Sequence, residues 1–356
     1  ITPYELAGQD LTPTIIAGYD FSDVSVTKRY IRVLGTFLAD MTLTPDPLVT
    51  GSSVWRVTSS ITVQSGVTLT VEDGAIMKFD LNTTLIVNGG LTIGDGIAGG
   101  TKAILTSIRD DSVGGDTNAD DATNATTLPT INDWQRIEAR VNATISIDNA
   151  IIRYMDYGIY QNNTNATAFS VSNTEITDFS RTGLRLFPNG TATYTLTNNF
   201  IRRGNVSCCS GAFGGLHLQT QTGDAVTLNI DGLVISDISG FSNDKRGMYL
   251  DINDTATLTG TINNVTVSNI TSSTAIQLDA RTAGAVNPTF SNITVNNAIG
   301  LYGLYLLGDN TATHTPTLTG ININAGIYNL LLNGVGGTYS NMNLAGATSA
   351  SIHFAA

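Results

Sequence analysis

Lysine and glutamate are nearly missing from these 356 residues. The only Lys are Lys28, Lys78, Lys102 and Lys245, and the only Glu are Glu5, Glu72, Glu138 and Glu175. Those two residues are strong helix formers, so their scarcity beside abundant Gly, Thr, Asn and Ser argues for strands and tight turns. Charge is sparse as well, at 13% of residues, and the net charge is -12. Nucleic acid and anionic membrane are grasped by clustered Lys and Arg, so neither is an expected partner. No apolar run reaches the roughly 18 residues that a spanning helix needs, so no transmembrane segment is expected. Cysteine is scarce too. Cys208 and Cys209 are the only two and they are neighbours, which excludes a multi-disulfide framework and leaves a strained vicinal disulfide, two free thiols or pairing between molecules.

Two short signatures alternate along the second half of the chain. One is an Asn or Asp leading alternating apolar residues, at Asn149, Asn173, Asn198, Asp231, Asn264, Asn292 and Asn341. The other is a small residue leading apolar-x-apolar, at Gly183, Gly215, Gly247, Ala275, Gly303 and Ser351. The first six Asn or Asp anchors are spaced by 24, 25, 33, 33 and 28 residues. Units of that size cannot bury an apolar face alone, so they must stack as a solenoid. With period-two alternation throughout, the expected fold is all-β: one right-handed parallel β-helix with three strands per coil and roughly ten to twelve coils. At about 4.8 Å per rung the rod would be roughly 50 to 60 Å long. The anchors are expected to stack at successive turns, where amides can hydrogen-bond along the rod axis. Residues 54–356 are assigned to the β-helix, and residues 1–53 to an N-terminal cap or a strand-exchange segment.

From Trp55 onward the text supports this reading. Gly66 to Phe79 read as a strand pair, an Asp-rich loop runs from Asp116 to Asp121, and Asp133-Trp134 precedes Ile137. In these features the chain resembles the right-handed parallel β-helix modules of secreted bacterial and archaeal surface proteins. The resemblance implies the fold, and it leaves open whether the chain is an adhesin, a surface-layer part or an enzyme.

Three constellations are candidates for function. In the acidic loop, Asp116, Asn118 and Asp120 alternate, with Asp110, Asp111 and Asp121 nearby. Several oxygens turned to one point suit Ca²⁺, and the alternative is a solvated acidic loop. The second constellation is the residue between the two apolar positions of the small-residue signature. Side chains alternate faces along a strand, so Arg185, His217, Tyr249, Gln277, Tyr305 and His353 should form one outward file, preceded by Tyr160 and interrupted by Leu331. Aromatic and hydrogen-bonding groups in a row suit an extended polysaccharide, while an ordinary solvent face is the alternative. The third is catalytic: paired carboxylates would mark a glycoside hydrolase, yet the file has no acid, and Asp251, Asp254 and Asp279 read as turn residues. Among the sequons, Asn165, Asn189 and Asn205 are expected on loops where glycosylation is feasible.

A start at Ile1 fits a processed mature chain, and a secreted, extracellular or cell-surface location is expected. The favoured function is a non-catalytic structural or adhesive surface protein, self-associating into a filament by end-to-end stacking or N-terminal strand exchange. The alternative is a carbohydrate-binding module or a polysaccharide lyase or hydrolase.

Overall fold

The computed structural model describes residues 5–7, 30–45, 54–94, 100–118, 128–162, 164, 168–206, 213–240, 245–271, 274–280, 284–300, 302–308, 314–324, 326–347 and 349–355. Alternation of apolar and polar residues gives strands with one buried face, as in Thr191–Arg202, where buried and exposed positions alternate along the strand. A strand that buries only one face must wrap around a shared core, and the chain does so by coiling. Every strand pairing is parallel, and partners lie one coil apart in sequence. The fold is therefore a right-handed parallel β-helix, the hand taken by about 98% of parallel crossovers.

Each coil contributes a strand to each of three faces. Face 1 holds the small-residue signature, in strands such as Thr182–Leu186, Phe213–Gln219, Lys245–Asp251, Thr274–Ala280 and Tyr302–Gly308. Face 2 runs through Thr144–Asp148 and Ala168–Ser172, and face 3 through Ala150–Arg153 and Glu175–Thr177. Long strands such as Thr191–Arg202 and Ala225–Gly240 turn the corner and serve faces 2 and 3 in succession. On face 1, eleven successive pairings join twelve strands from Gly35 to Ala355. Gly35–Phe37 begins this ladder by pairing with Ile61–Val63, while Met41–Leu43 pairs with Thr68–Val71 on face 2, so parallel pairing extends N-terminal of residue 54.

The corner from face 2 to face 3 explains the Asn anchors. Asn149, Asn173, Asn198, Asn264, Asn292 and Asn341 all have φ between 49° and 53°, the left-handed region that Asn tolerates better than most residues. At two coils Gly232 and Gly320 take the same place, so the turn residue beside Asp231 is the glycine that follows it. The side chains then bond along the axis: Asn173 Nδ2 donates to Asp148 at 2.8 Å, Asn264 Nδ2 to Asp231 at 2.7 Å and Asn292 Nδ2 to Asn264 at 3.3 Å. A second ladder runs along the corner from face 3 to face 1, through Asp237, Asn269 and Asn297.

The small residue of the other signature has a packing cause. A Cβ added to Gly183, Gly215 or Gly247 would fall 2.4–2.5 Å from Ile201, Ile235 or Val267, the β-branched side chains of face 3. Only a very small residue lets face 1 start so close to the core. Inside, Leu216, Met248, Ile276 and Leu304 stack in one buried file, and Trp134 lies on Phe79 with ring centres 4.2 Å apart.

Candidate functional site

The register of face 1 brings the expected outward file together. Tyr160 pairs with Arg185, Arg185 with His217, His217 with Tyr249, Tyr249 with Gln277 and Gln277 with Tyr305, followed by Leu331 and the backbone of His353. The His353 side chain lies outside the described residues. This file is not a bare solvent face. His217, Gln277 and Leu331 are buried, while Tyr160, Arg185, Tyr249 and Tyr305 are half-buried.

The burial comes from the side chains stacking on one another. The His217 and Tyr249 rings lie 5.1 Å apart at 16°. The Arg246 guanidinium covers the other rim of the cluster, 4.2 Å from the Tyr249 ring centre, and its Nε donates to Gln277 Oε1 at 2.6 Å. Arg185 Nη2 donates to Gln219 Oε1 at 2.9 Å, and its guanidinium lies 5.5 Å from the Tyr160 ring. Farther along, Tyr302 lies 4.9 Å from Tyr305 and 5.4 Å from Tyr328.

Two residues beyond each member of the file, a second file runs beside it. Gln219 pairs with Asp251, and Asp251 with Asp279. This corrects the expectation that Asp251 and Asp279 are unrelated turn residues: they lie in strands, on adjacent rungs. The signal was available, because each stands four residues after a small-residue anchor, at Gly247 and Ala275. Sequence reasoning also missed Arg246, which directly precedes the Gly247 anchor.

Electrostatics follow from this crowding. Burial, with Arg185 and Arg246 close by, pushes the His217 imidazole down to about 3, so it is neutral at pH 7. Burial and then Asp251 and Asp279 push the Tyr249 phenol up, and its hydroxyl donates to Asp251. The Asp251 carboxyl is itself raised, first by burial and then by Asp279, against hydrogen bonds from Asn253 and Tyr249. The site thus combines neutral donors, two guanidiniums, aromatic rings and a carboxyl pair along one line.

The acidic loop is placed differently. The Asp110 carboxylate is buried and meets Arg153 at 2.6 Å, Thr106 at 2.5 Å and Ser112 at 2.6 Å. Its charge is already matched by that guanidinium. Asp116 accepts the Asn118 backbone N–H at 3.2 Å, a local turn. Asp120 and Asp121 lie outside the described residues, and among the described residues no three His, Cys, Asp or Glu are grouped to hold a metal. Of the sequons, Asn189 and Asn205 are exposed, and Asn165 lies outside the described residues, as do Cys208 and Cys209. Among the described residues no helix is long and apolar enough to cross a membrane.

No family model and no curated protein matches the chain. One solved structure aligns with it, the Mannuronan C-5 epimerase AlgE6 A-module of Azotobacter vinelandii, at 12% identity and a TM-score of 0.30, covering 99% of each chain. The strand register, rather than this likeness, establishes the fold.

Proposed function

We propose that the protein is a rigid extracellular rod that binds an extended polysaccharide along face 1. The observation that carries this reading is the unbroken register of Tyr160, Arg185, His217, Tyr249, Gln277 and Tyr305 on six successive rungs. Five rung steps of about 4.8 Å give a contact line of roughly 24 Å. Half-buried aromatic rings offer flat surfaces at fixed spacing, and Gln, Arg and imidazole groups offer hydrogen bonds to hydroxyls between them. The partners hold each other in place, so little side-chain freedom is lost when a ligand settles on them. A glycan array identifies ligands, and Tyr249→Ala and Tyr305→Ala should each weaken binding about 3- to 10-fold, as loss of a stacking surface does. Unchanged affinity in both variants would dismiss this face.

A second reading, self-association of rods, is favoured by one observation. On the last described coil Met342 and Leu344 are only half-buried, whereas their partners one coil earlier, Ile321 and Ile323, are fully buried. More chain or a second copy would cover them. Electron microscopy of the purified protein tests this reading, and single rods at high concentration would sink it.

A further inference from the structure

Tyrosines concentrate on face 1. Of the 12 in the chain, Tyr157, Tyr160, Tyr249, Tyr302, Tyr305 and Tyr328 lie in its strands. Four of them belong to a repeated tetrapeptide. Tyr-Gly-apolar-Tyr occurs at Tyr157–Tyr160 and again at Tyr302–Tyr305, opening the strands Tyr157–Gln161 and Tyr302–Gly308. Gly303 is the small-residue anchor of its coil, and Gly158 stands at the same place in an earlier one. Both tyrosine pairs therefore occupy the same position on the rod surface, at different heights.

The geometry recurs with the sequence. In each pair the ring centres lie 4.9 Å apart, with the planes tilted by 54° and 46°. The first pair is braced by arginine: the Arg136 and Arg185 guanidiniums lie 4.8 and 5.5 Å from the Tyr160 ring centre, and Arg136 is itself paired with Glu138 at 2.9 Å. Tyr157 is buried behind, and Tyr160 is half-buried. The second pair is braced by a third ring, since Tyr302 also stacks on Tyr328 at 5.4 Å and 22°. Tyr302, Tyr305 and Tyr328 are all half-buried. Between the pairs the motif lapses, because the register that joins Tyr157 to Tyr302 passes through Thr182, Gly214, Arg246 and Thr274. Five rung steps of about 4.8 Å separate Tyr160 from Tyr305 by roughly 24 Å, about five sugar units of an extended pyranose chain.

We infer that the two tyrosine pairs are separate grips on one polysaccharide chain, so that face 1 selects ligands long enough to reach both. This deepens the proposed function and rests on it. An amphipathic ring offers an apolar surface to the C–H groups of a sugar and a hydroxyl to its polar rim. A short oligosaccharide settles on one grip alone. A longer one engages the second grip as an intramolecular step, at the high effective concentration that a short tether gives. The rigid rod fixes the distance between the grips, and the braced rings lose little freedom on binding.

The test is isothermal titration of the full chain with oligosaccharides of cellulose, chitin and galacturonan, each graded from about two to about eight units, against wild type, Tyr160→Ala, Tyr305→Ala and Tyr249→Ala. Wild type should show a step of at least about tenfold in affinity near five or six units, with little gain beyond it. Tyr160→Ala and Tyr305→Ala should each abolish the step while leaving the affinity for the shortest oligomers within about threefold of wild type. Tyr249 lies between the grips, so Tyr249→Ala should keep the step. Affinity that rises evenly with length, or a step that survives in both end variants with wild-type melting, overturns the two grips and leaves the polysaccharide reading standing. Binding in none of the three series removes that reading, and the grips with it. Should an end variant fold poorly, the presence or absence of the step in wild type still decides the matter.

Discussion

His217 lies face to face with Tyr249 on the neighbouring rung, ring centres 5.1 Å apart and planes within 16°. The stack seals the imidazole from water, and two guanidiniums beside it make a further positive charge unfavourable. Protonation of this histidine is therefore tied to opening of the face.

The first prediction concerns acid stability. The unfolded imidazole titrates near 6.5, whereas the folded one is pushed down to about 3. Below about pH 6.5 the unfolded chain takes up a proton that the folded chain refuses, so stability is lost as pH falls, by at most about 1.4 kcal/mol per pH unit. Denaturant unfolding between pH 7 and 4 should show a shallower loss for His217→Gln than for wild type. Equal slopes would mean that His217 is not sealed.

Asp251 titrates in the opposite sense. Asp251 is raised by burial and by Asp279, so the folded state holds a proton that the unfolded state has released. Stability from that proton is present below the unfolded value and is lost as pH rises through the folded one. Asp251→Asn should therefore stabilise the protein at pH 7 by up to about 1 kcal/mol and have no such effect at pH 3. Thermal melts at the two pH values decide it.

At the start of face 1, Gly215 is held by contact rather than by conformation. A Cβ there would fall 2.5 Å from Ile235 and 2.6 Å from the Gly247 carbonyl oxygen, so Gly215→Val should cost about 3 kcal/mol or more. Gly223 has open space but φ of +79°, and Gly223→Ala should cost only about 1 kcal/mol. The melting temperatures should rank wild type first, Gly223→Ala second and Gly215→Val last.

The Asn corner separates two contributions. Asn264 sits at φ +53°, donates to Asp231 and accepts from Asn292. Asn264→Gly keeps the backbone at ease and loses the ladder, while Asn264→Ala loses both. Alanine should be the worse substitution by about 1 kcal/mol, measured by denaturant unfolding. Equal costs would assign the corner wholly to its hydrogen bonds.

Much of this architecture was legible because a solenoid repeats its constraints locally. Asn or Gly recurs at the left-handed corner from face 2 to face 3, and Gly183, Gly215 and Gly247 stand where face 1 meets β-branched side chains of face 3. Since the spacing of Gly183, Gly215 and Gly247 sets the register, the outward file from Arg185 to Tyr305 could be placed before any coordinate was known. The position two residues further on obeys the same register. It was passed over because Asp is so common in turns that Asp251 and Asp279 did not stand out.

What the sequence determined by itself was the period, the corner residues and which residue follows which along the rod, since these depend on backbone conformation and alternation. What only the tertiary structure decided was the company each side chain keeps. Asp110 stands in an acidic run of the sequence, and the structure sets it against Arg153, more than forty residues away. His217 looked like one more outward residue until Tyr249 closed over it. Burial and charge pairing depend on how neighbouring coils pack, and loops of different length between the anchors leave that packing unstated in the order of residues.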